Sequence, residues 1–128
     1  MNPKDLRYAE THEWARLHGD TCTVGITQFA IDQLTDVVHI ELPTIGRKLE
    51  SGKGFGEIES VKAVSDLYAP VPGEVVAVND ALLADPSVIS RDPYGAGWMI
   101  KIRVPAGTSL GSMLTAEQYE TQIASLGH

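Results

Sequence analysis

Short runs of alternating apolar and polar residues, the period of half-buried strands, dominate the chain. RYAE, EWARLHG and TCTVGIT read as strands, the last two pairing across a His18-Gly19-Asp20 turn. Thr27 is placed to cap a short helix through Gln28, Phe29, Ala30, Ile31 and Leu34, whose spacing is close to 3.6 residues. VVHIEL, rich in β-branched residues and stopped by Pro43, is a strand. GEVVAVN follows a Pro72-Gly73 turn as another, and WMIKIRV is the last clear one. Residues 80–96 are rich in Asp, Pro, Ser and Gly and read as loop, with one helical turn around Ala81 to Ala84. From Thr115 to Leu126, apolar Ala116, Tyr119, Ile123 and Leu126 recur with the period of an amphipathic helix. Many short strands separated by turn signals predict a mainly β sandwich or barrel with a short internal helix and a C-terminal helix.

One stretch does not resolve on pattern. GEIESVKAVSDLYAP, residues 56–70, has Glu57 and Glu59 leading in, Asp66 leading out, and Lys62 among small or short residues. As a strand, it puts Glu57 and Glu59 on one face and Ile58 on the other. As a hairpin it has arms FGEIES and SDLYAP and carries Lys62 at its tip. The bend lacks Asn-Gly, Asp-Gly or Gly-X, so propensity leaves strand pair and short helix both open.

Composition narrows the function. A chain of 128 residues suits one domain with a modest core. Its net charge of −7 argues against a phosphate-binding surface, hence against nucleic acid. No apolar run is long enough to span a membrane. MNPKDLRYAE has neither the apolar core of a signal peptide nor the basic, acid-poor character of a transit peptide, and the single Cys22 fits a reducing compartment. A cytoplasmic, bacterial-type chain is expected.

The remaining chemistry-bearing residues do not assemble into a catalytic constellation. His12 and His18 lack the helical i, i+4 spacing of a zinc site. Gly52, Gly54 and Gly56 are followed by Glu57 rather than a Lys-Ser/Thr pair, and read as loop and strand-edge glycines. Cys22 reads as a buried apolar residue, and Trp14 and Trp98 as core or cleft-wall aromatics. Glu57 and Glu59 read as a recognition surface on a solvated strand, and Glu13 and Asp66, taken as residues, as solvated strand-end acids.

ESVKAVSD (59–66) resembles the lipoate-attachment site of glycine cleavage system H proteins. THEW (11–14), TVGIT (23–27), DVVHIELP (36–43), APVPGEVVAVN (69–79) and DPYGAGWMIKI (92–102) resemble that family in the same order, over residues 6 to 120 or so. Biotin sites look like Met-Lys-Met and acyltransferase lipoyl sites like Asp-Lys-Ala. Here Val61 precedes Lys62, and no Ala/Pro linker to a catalytic domain appears. A lipoate donor to other proteins would share the attachment site, and an unmodified interaction module is distinguished by mass.

The resemblance implies a single lipoyl-carrier domain over 1–128, a lipoyl-type barrel-sandwich hybrid with its core at about 6–105 and its helix at about 115–126. It implies lipoate in amide linkage to Lys62, with Glu59 and Gly73 recognised by the attaching ligase or transferase. Thr11, Glu13 and Asp66 are implied to line a cleft where the loaded arm rests. The implied role is a non-catalytic carrier. The aminomethyl group of glycine passes from the pyridoxal-phosphate enzyme glycine decarboxylase to the lipoyl disulfide. A tetrahydrofolate-dependent aminomethyltransferase then takes the methylene. Dihydrolipoamide dehydrogenase, with FAD and NAD, reoxidises the dithiol. The lipoyl ring supplies what side chains lack, a mobile two-electron acceptor that also carries a carbon unit.

Overall fold

The computed structural model describes residues 6–34, 36–111 and 113–126, with residue 126 described by its backbone only. Among them, two antiparallel sheets carry the chain. The larger runs β1 (Arg7–Tyr8), β2 (Glu13–His18), β3 (Thr21–Ile26), β9 (Ile100–Arg103), β8 (Gly73–Val78), β5 (Lys48–Leu49) in spatial order. The smaller holds β4 (Val37–Glu41), β6 (Gly54–Ser60) and β7 (Val64–Tyr68). The expected β2–β3 hairpin forms, with His18 opposite Thr21 and Glu13 opposite Ile26. Between the sheets, Val24, Ile40, Phe55, Ile58, Leu67, Val75, Ile100 and Ile102 are almost wholly buried. Each such side chain stabilises by about 1.5–3 kcal/mol relative to exposure.

β2 departs from simple alternation because both its faces are covered: Glu13, Trp14 and Ala15 are buried in succession. Ala15 joins the main core, while Trp14 packs with Leu6, Tyr8 and Tyr119 in a second cluster outside the sheet. The indole donates to the Pro93 carbonyl at 3.0 Å. Gly25, directly across from Trp14, leaves room for the ring, since a Cβ there would lie 2.4 Å from it. That is the physical reason for the glycine in TVGIT.

Helix α1 (Gln28–Leu34) buries Ala30, Ile31 and Leu34, as the spacing predicts. The region read as loop holds two helices rather than one turn: α2 (Asp80–Ala84) and α3 (Val88–Arg91). Their composition hid them because each is short and held by side chains rather than by propensity. The Asn79 side-chain oxygen Oδ1 accepts from the Ala81 amide at 3.3 Å, and the side-chain Nδ2 donates to the Ala96 and Trp98 carbonyls, each at 2.7 Å. Leu82 and Ile89 each anchor one helix in the core. The C-terminal helix α4 (Ala116–Leu126) forms as expected. Its Tyr119 is buried and Ile123 joins the second cluster, while the side chain of Leu126 lies outside the described residues.

A lysine-tipped hairpin beside a buried carboxylate

The ambiguous stretch is a hairpin. β6 pairs with β7, leaving Val61, Lys62 and Ala63 as the connection. Ser60 supplies the turn chemistry that the sequence lacked. Its amide and hydroxyl both donate to the Ala63 carbonyl (2.8 and 3.2 Å), and the hydroxyl accepts from the Lys62 and Ala63 amides (3.3 and 3.1 Å). A serine side chain mimicking a backbone turn closes the bend without glycine. The Val61 amide also donates to the Asp36 carbonyl at 3.1 Å, pinning the tip to the entry of β4. Lys62 is exposed, with exposed Val61, Ala63 and Val64 around it.

The face that carries Glu59 is acidic in register. Glu41 pairs with Glu57, which pairs with Asp66, and all three are exposed. Glu59 lies opposite His39 and Val64, two residues nearer the tip. Like charges directly opposed cost a sheet stability, so this row does not serve folding. Ile58, on the other face, is fully buried, as the alternation required.

Gly73 stands elsewhere. It lies in β8 of the larger sheet, opposite Leu49, with φ 154°. A Cβ there would come 2.2 Å from the Arg103 carbonyl oxygen and 2.5 Å from a methyl of Ile102. The structure therefore joins Lys62 and Glu59 in one hairpin and sets Gly73 in the sheet packed against it.

Glu13 corrects the residue-level expectation of a solvated acid: it is fully buried. Donors from two directions make that tolerable. The Thr11 hydroxyl donates to one carboxylate oxygen, and the Tyr68 amide of β7 donates to the other at 3.0 Å. Burial pushes the Glu13 carboxyl up, while these hydrogen bonds pull it back. Glu13 thus couples β2 of one sheet to the outgoing strand of the lysine hairpin. Asp66 is exposed, as its residue-level reading has it.

Two cavities meet at Thr11. One, of about 410 Å³, is lined by Tyr8, Glu10, Thr11, Glu13 and Tyr68 among others. The second, of about 300 Å³, has Thr11, His12, Phe29, Gln33 and Asp66 in its wall. Thr11 is brought together with Glu13 in the first and with Asp66 in the second; neither cavity holds all three. His12 and Phe29 are wall residues that sequence reasoning missed, and the metal spacing considered for His12 pointed away from them. Its ring packs on Phe29 with centroids 5.1 Å apart. Cys22 is buried, its thiol pushed up to about 12 by desolvation. No described helix is long and apolar enough to cross a membrane.

The chain is similar to known proteins over nearly its whole length. A family model described as glycine cleavage H-protein matches residues 6–125. The glycine cleavage system H protein of Microcystis aeruginosa is 53% identical over 123 residues, covering 95% of this chain and 94% of the relative. The probable glycine cleavage system H protein of Natronomonas pharaonis is 53% identical over 122 residues, covering 95% and 96%. The crystal structure of a glycine cleavage system H protein from Mycobacterium marinum matches with a TM-score of 0.88 at 40% identity, covering 96% of this chain and 99% of that one. Two antiparallel sheets with few helices make the fold the expected lipoyl-type barrel-sandwich hybrid. The chain belongs to the glycine cleavage H-protein family.

Proposed function

We propose that Lys62 carries lipoate in amide linkage and that the chain serves the glycine cleavage system as a carrier without chemistry of its own. When bound, the lipoyl disulfide supplies a two-electron acceptor and a sulfur able to hold the aminomethyl group of glycine between partner enzymes. Those partners are glycine decarboxylase with pyridoxal phosphate, an aminomethyltransferase using tetrahydrofolate, dihydrolipoamide dehydrogenase with FAD and NAD, and a lipoate-attaching ligase or transferase.

The observation that carries this reading is the presentation of Lys62. It is an exposed amine at the tip of a hairpin closed by Ser60, and among the described residues no carboxylate forms an ion pair with it. Small and short neighbours leave the amine open to several enzymes in turn. Glu59, on the acidic face just before the tip, offers charge that holds the ligase in register. Gly73 serves the ligase indirectly, by allowing β8 to approach β9 so closely that the neighbouring sheet keeps its shape.

Thr11, Glu13 and Asp66 receive the cargo end of the arm. Asp66 stands in the wall of the smaller cavity, on the strand that leaves the tip. Glu13 holds Thr11 by a hydrogen bond and adds negative potential from behind. An amine in this setting is favoured as its ammonium, whose nitrogen lacks the lone pair that expels thiolate and loses formaldehyde. Reconstitution with the ligase, lipoate, ATP and the partner enzymes tests the proposal. Wild type should support glycine decarboxylation and Lys62→Arg should not. Equal turnover by the two would overturn it.

A further inference from the structure

The turn that presents Thr11 and Glu13 sits in a conformation it would not hold by itself. His12, between them, has φ 82°, the one positive value at a non-glycine among the described residues. L side chains rarely adopt this region. Backbone bonds fix the turn from His12 N to the Ala9 carbonyl and from Thr27 N to the His12 carbonyl, both at 3.0 Å. The side-chain grip comes from the far end of the sequence. Tyr119 on α4 places its hydroxyl 2.7 Å from His12 Nδ1 and 2.7 Å from Thr27 Oγ1. Three residues further along the same helix, the Gln122 amide donates to the Glu10 carbonyl at 3.0 Å.

One arrangement of protons satisfies every hydroxyl in this chain of contacts. Thr27 Oγ1 accepts from the Ala30 amide at 3.4 Å at the start of α1. Its own proton then goes to Tyr119 Oη, whose proton goes to His12 Nδ1. Run this way, every hydroxyl both donates and accepts, and His12 is neutral with its proton on Nε2. Burial favours the same neutral ring, lowering the His12 pKa. The helix that supplies the grip is itself fixed. Tyr119 stacks on Tyr8 with centroids 4.7 Å apart, and Thr115 and Gln118 cap α4 reciprocally through 2.9 and 3.2 Å bonds.

We infer that Tyr119 is a positioning residue of the cargo cleft: from the C-terminal helix, its hydroxyl holds the His12 turn and so sets Thr11 and Glu13 in place. This rests on the cleft reading above for its functional consequence, but its structural half stands without it. Tyr119→Phe removes the hydroxyl and keeps the stacked ring.

In the full-length lipoylated protein, the variant should exchange the Thr27 and Tyr68 amides at least ten times faster. These are the amides bonded to the His12 carbonyl and the Glu13 carboxylate. Amides of the β8–β9 ladder should keep their wild-type rates. The ¹⁵N shifts of His12 should move from a single Nε2–H tautomer to a mixture. Loaded protein should release formaldehyde several times faster than wild type. Thr27→Ser, which keeps the hydroxyl, should match wild type in all three readouts. Gln122→Ala, which releases the second grip, should speed the same two amides to a smaller extent.

Unchanged exchange at Thr27 and Tyr68 would overturn the inference. So would an equal acceleration across the β8–β9 ladder, which would make Tyr119 a general stabiliser. A loosened turn with unchanged cargo release would break the link to the cleft. If loaded wild type loses cargo as fast as a free lipoamide adduct, the cleft reading falls, while amide exchange still decides the role of Tyr119.

Discussion

Gly73→Ala offers a sharp physical test, because the cost of a single methyl follows from named contacts. The added Cβ would meet the Arg103 carbonyl oxygen at 2.2 Å, the Ile102 methyl at 2.5 Å and the Arg103 carbonyl carbon at 3.1 Å. Two of these are backbone atoms of the paired strand β9, which cannot swing aside as the end of a flexible side chain can. The backbone at φ 154° adds strain for any L side chain. Strained dihedrals cost about 1–3 kcal/mol and overpacking about 1–3 kcal/mol, so the variant should lose about 2–6 kcal/mol. For a chain of this length that lowers Tm by about 8–20 °C. Urea unfolding followed by tryptophan fluorescence measures it, since Trp14 is buried in the folded protein. Lipoylation of the variant should fall with the fraction folded and recover on cooling well below its Tm. A loss under about 1 kcal/mol would refute the packing account. A lipoylation defect that persists in fully folded protein would mean that the ligase reads Gly73 directly.

Two further substitutions separate recognition from stability. Glu59→Ala should slow lipoylation with little change in Tm, because the side chain is exposed and pairs across to His39 and Val64 without an ion pair among the described residues. Initial rates with purified ligase decide it, and equal rates would reject a role for Glu59. Glu13→Gln should load normally at Lys62 but release formaldehyde faster near neutral pH; a variant no leakier than wild type would mean that Glu13 does not guard the cargo. The same variant carries a pH signature in stability. Burial raises the folded pKa of Glu13, so the folded state binds the proton more tightly, and the cost of the buried charge grows as pH rises through that pKa. A glutamine side chain there can accept from the Tyr68 amide and donate to the Thr11 hydroxyl without carrying the charge. Glu13→Gln should therefore be at least as stable as wild type at pH 7 in chemical denaturation, with the advantage shrinking as pH falls toward the ordinary carboxylate range.

Local features were legible and long-range ones were not. The β2–β3 hairpin, α1 and the alternation that buries Ile58 while exposing Glu57 and Glu59 all follow from spacing within a few residues. The lysine turn stayed ambiguous because its closure depends on the Ser60 hydroxyl, a weaker sequence signal than Asn-Gly. Glu13 read as solvated because nothing near it announces a Tyr68 amide waiting on another sheet. α3 was lost in a stretch whose composition is that of a loop, though Ile89 anchors it in the core. Tyr119 was visible as an apolar position of a helix. That its hydroxyl would reach His12 and Thr27 was not, since residues that distant meet only through the packing of α4.

The acidic row shows a different kind of legibility. Glu57 and Asp66 appear in the sequence as neighbours of Lys62, but their register with Glu41 comes from the pairing of three strands. Opposed carboxylates bring the sheet no folding benefit, and they give the face beside the lysine the negative potential on which the proposed role of Glu59 depends.

Intact mass followed by peptide mapping tests the central claim most directly. Protein produced in cells that contain the attaching enzyme and lipoate should carry one lipoyl amide per chain. The modified peptide should be the one spanning ESVKAVSD, and Lys62→Arg should remain at the unmodified mass while keeping the wild-type Tm. A lipoyl group on Lys4, Lys48, Lys53 or Lys101, or wild-type protein that stays unmodified beside a fully active ligase and its lipoate, would contradict the account.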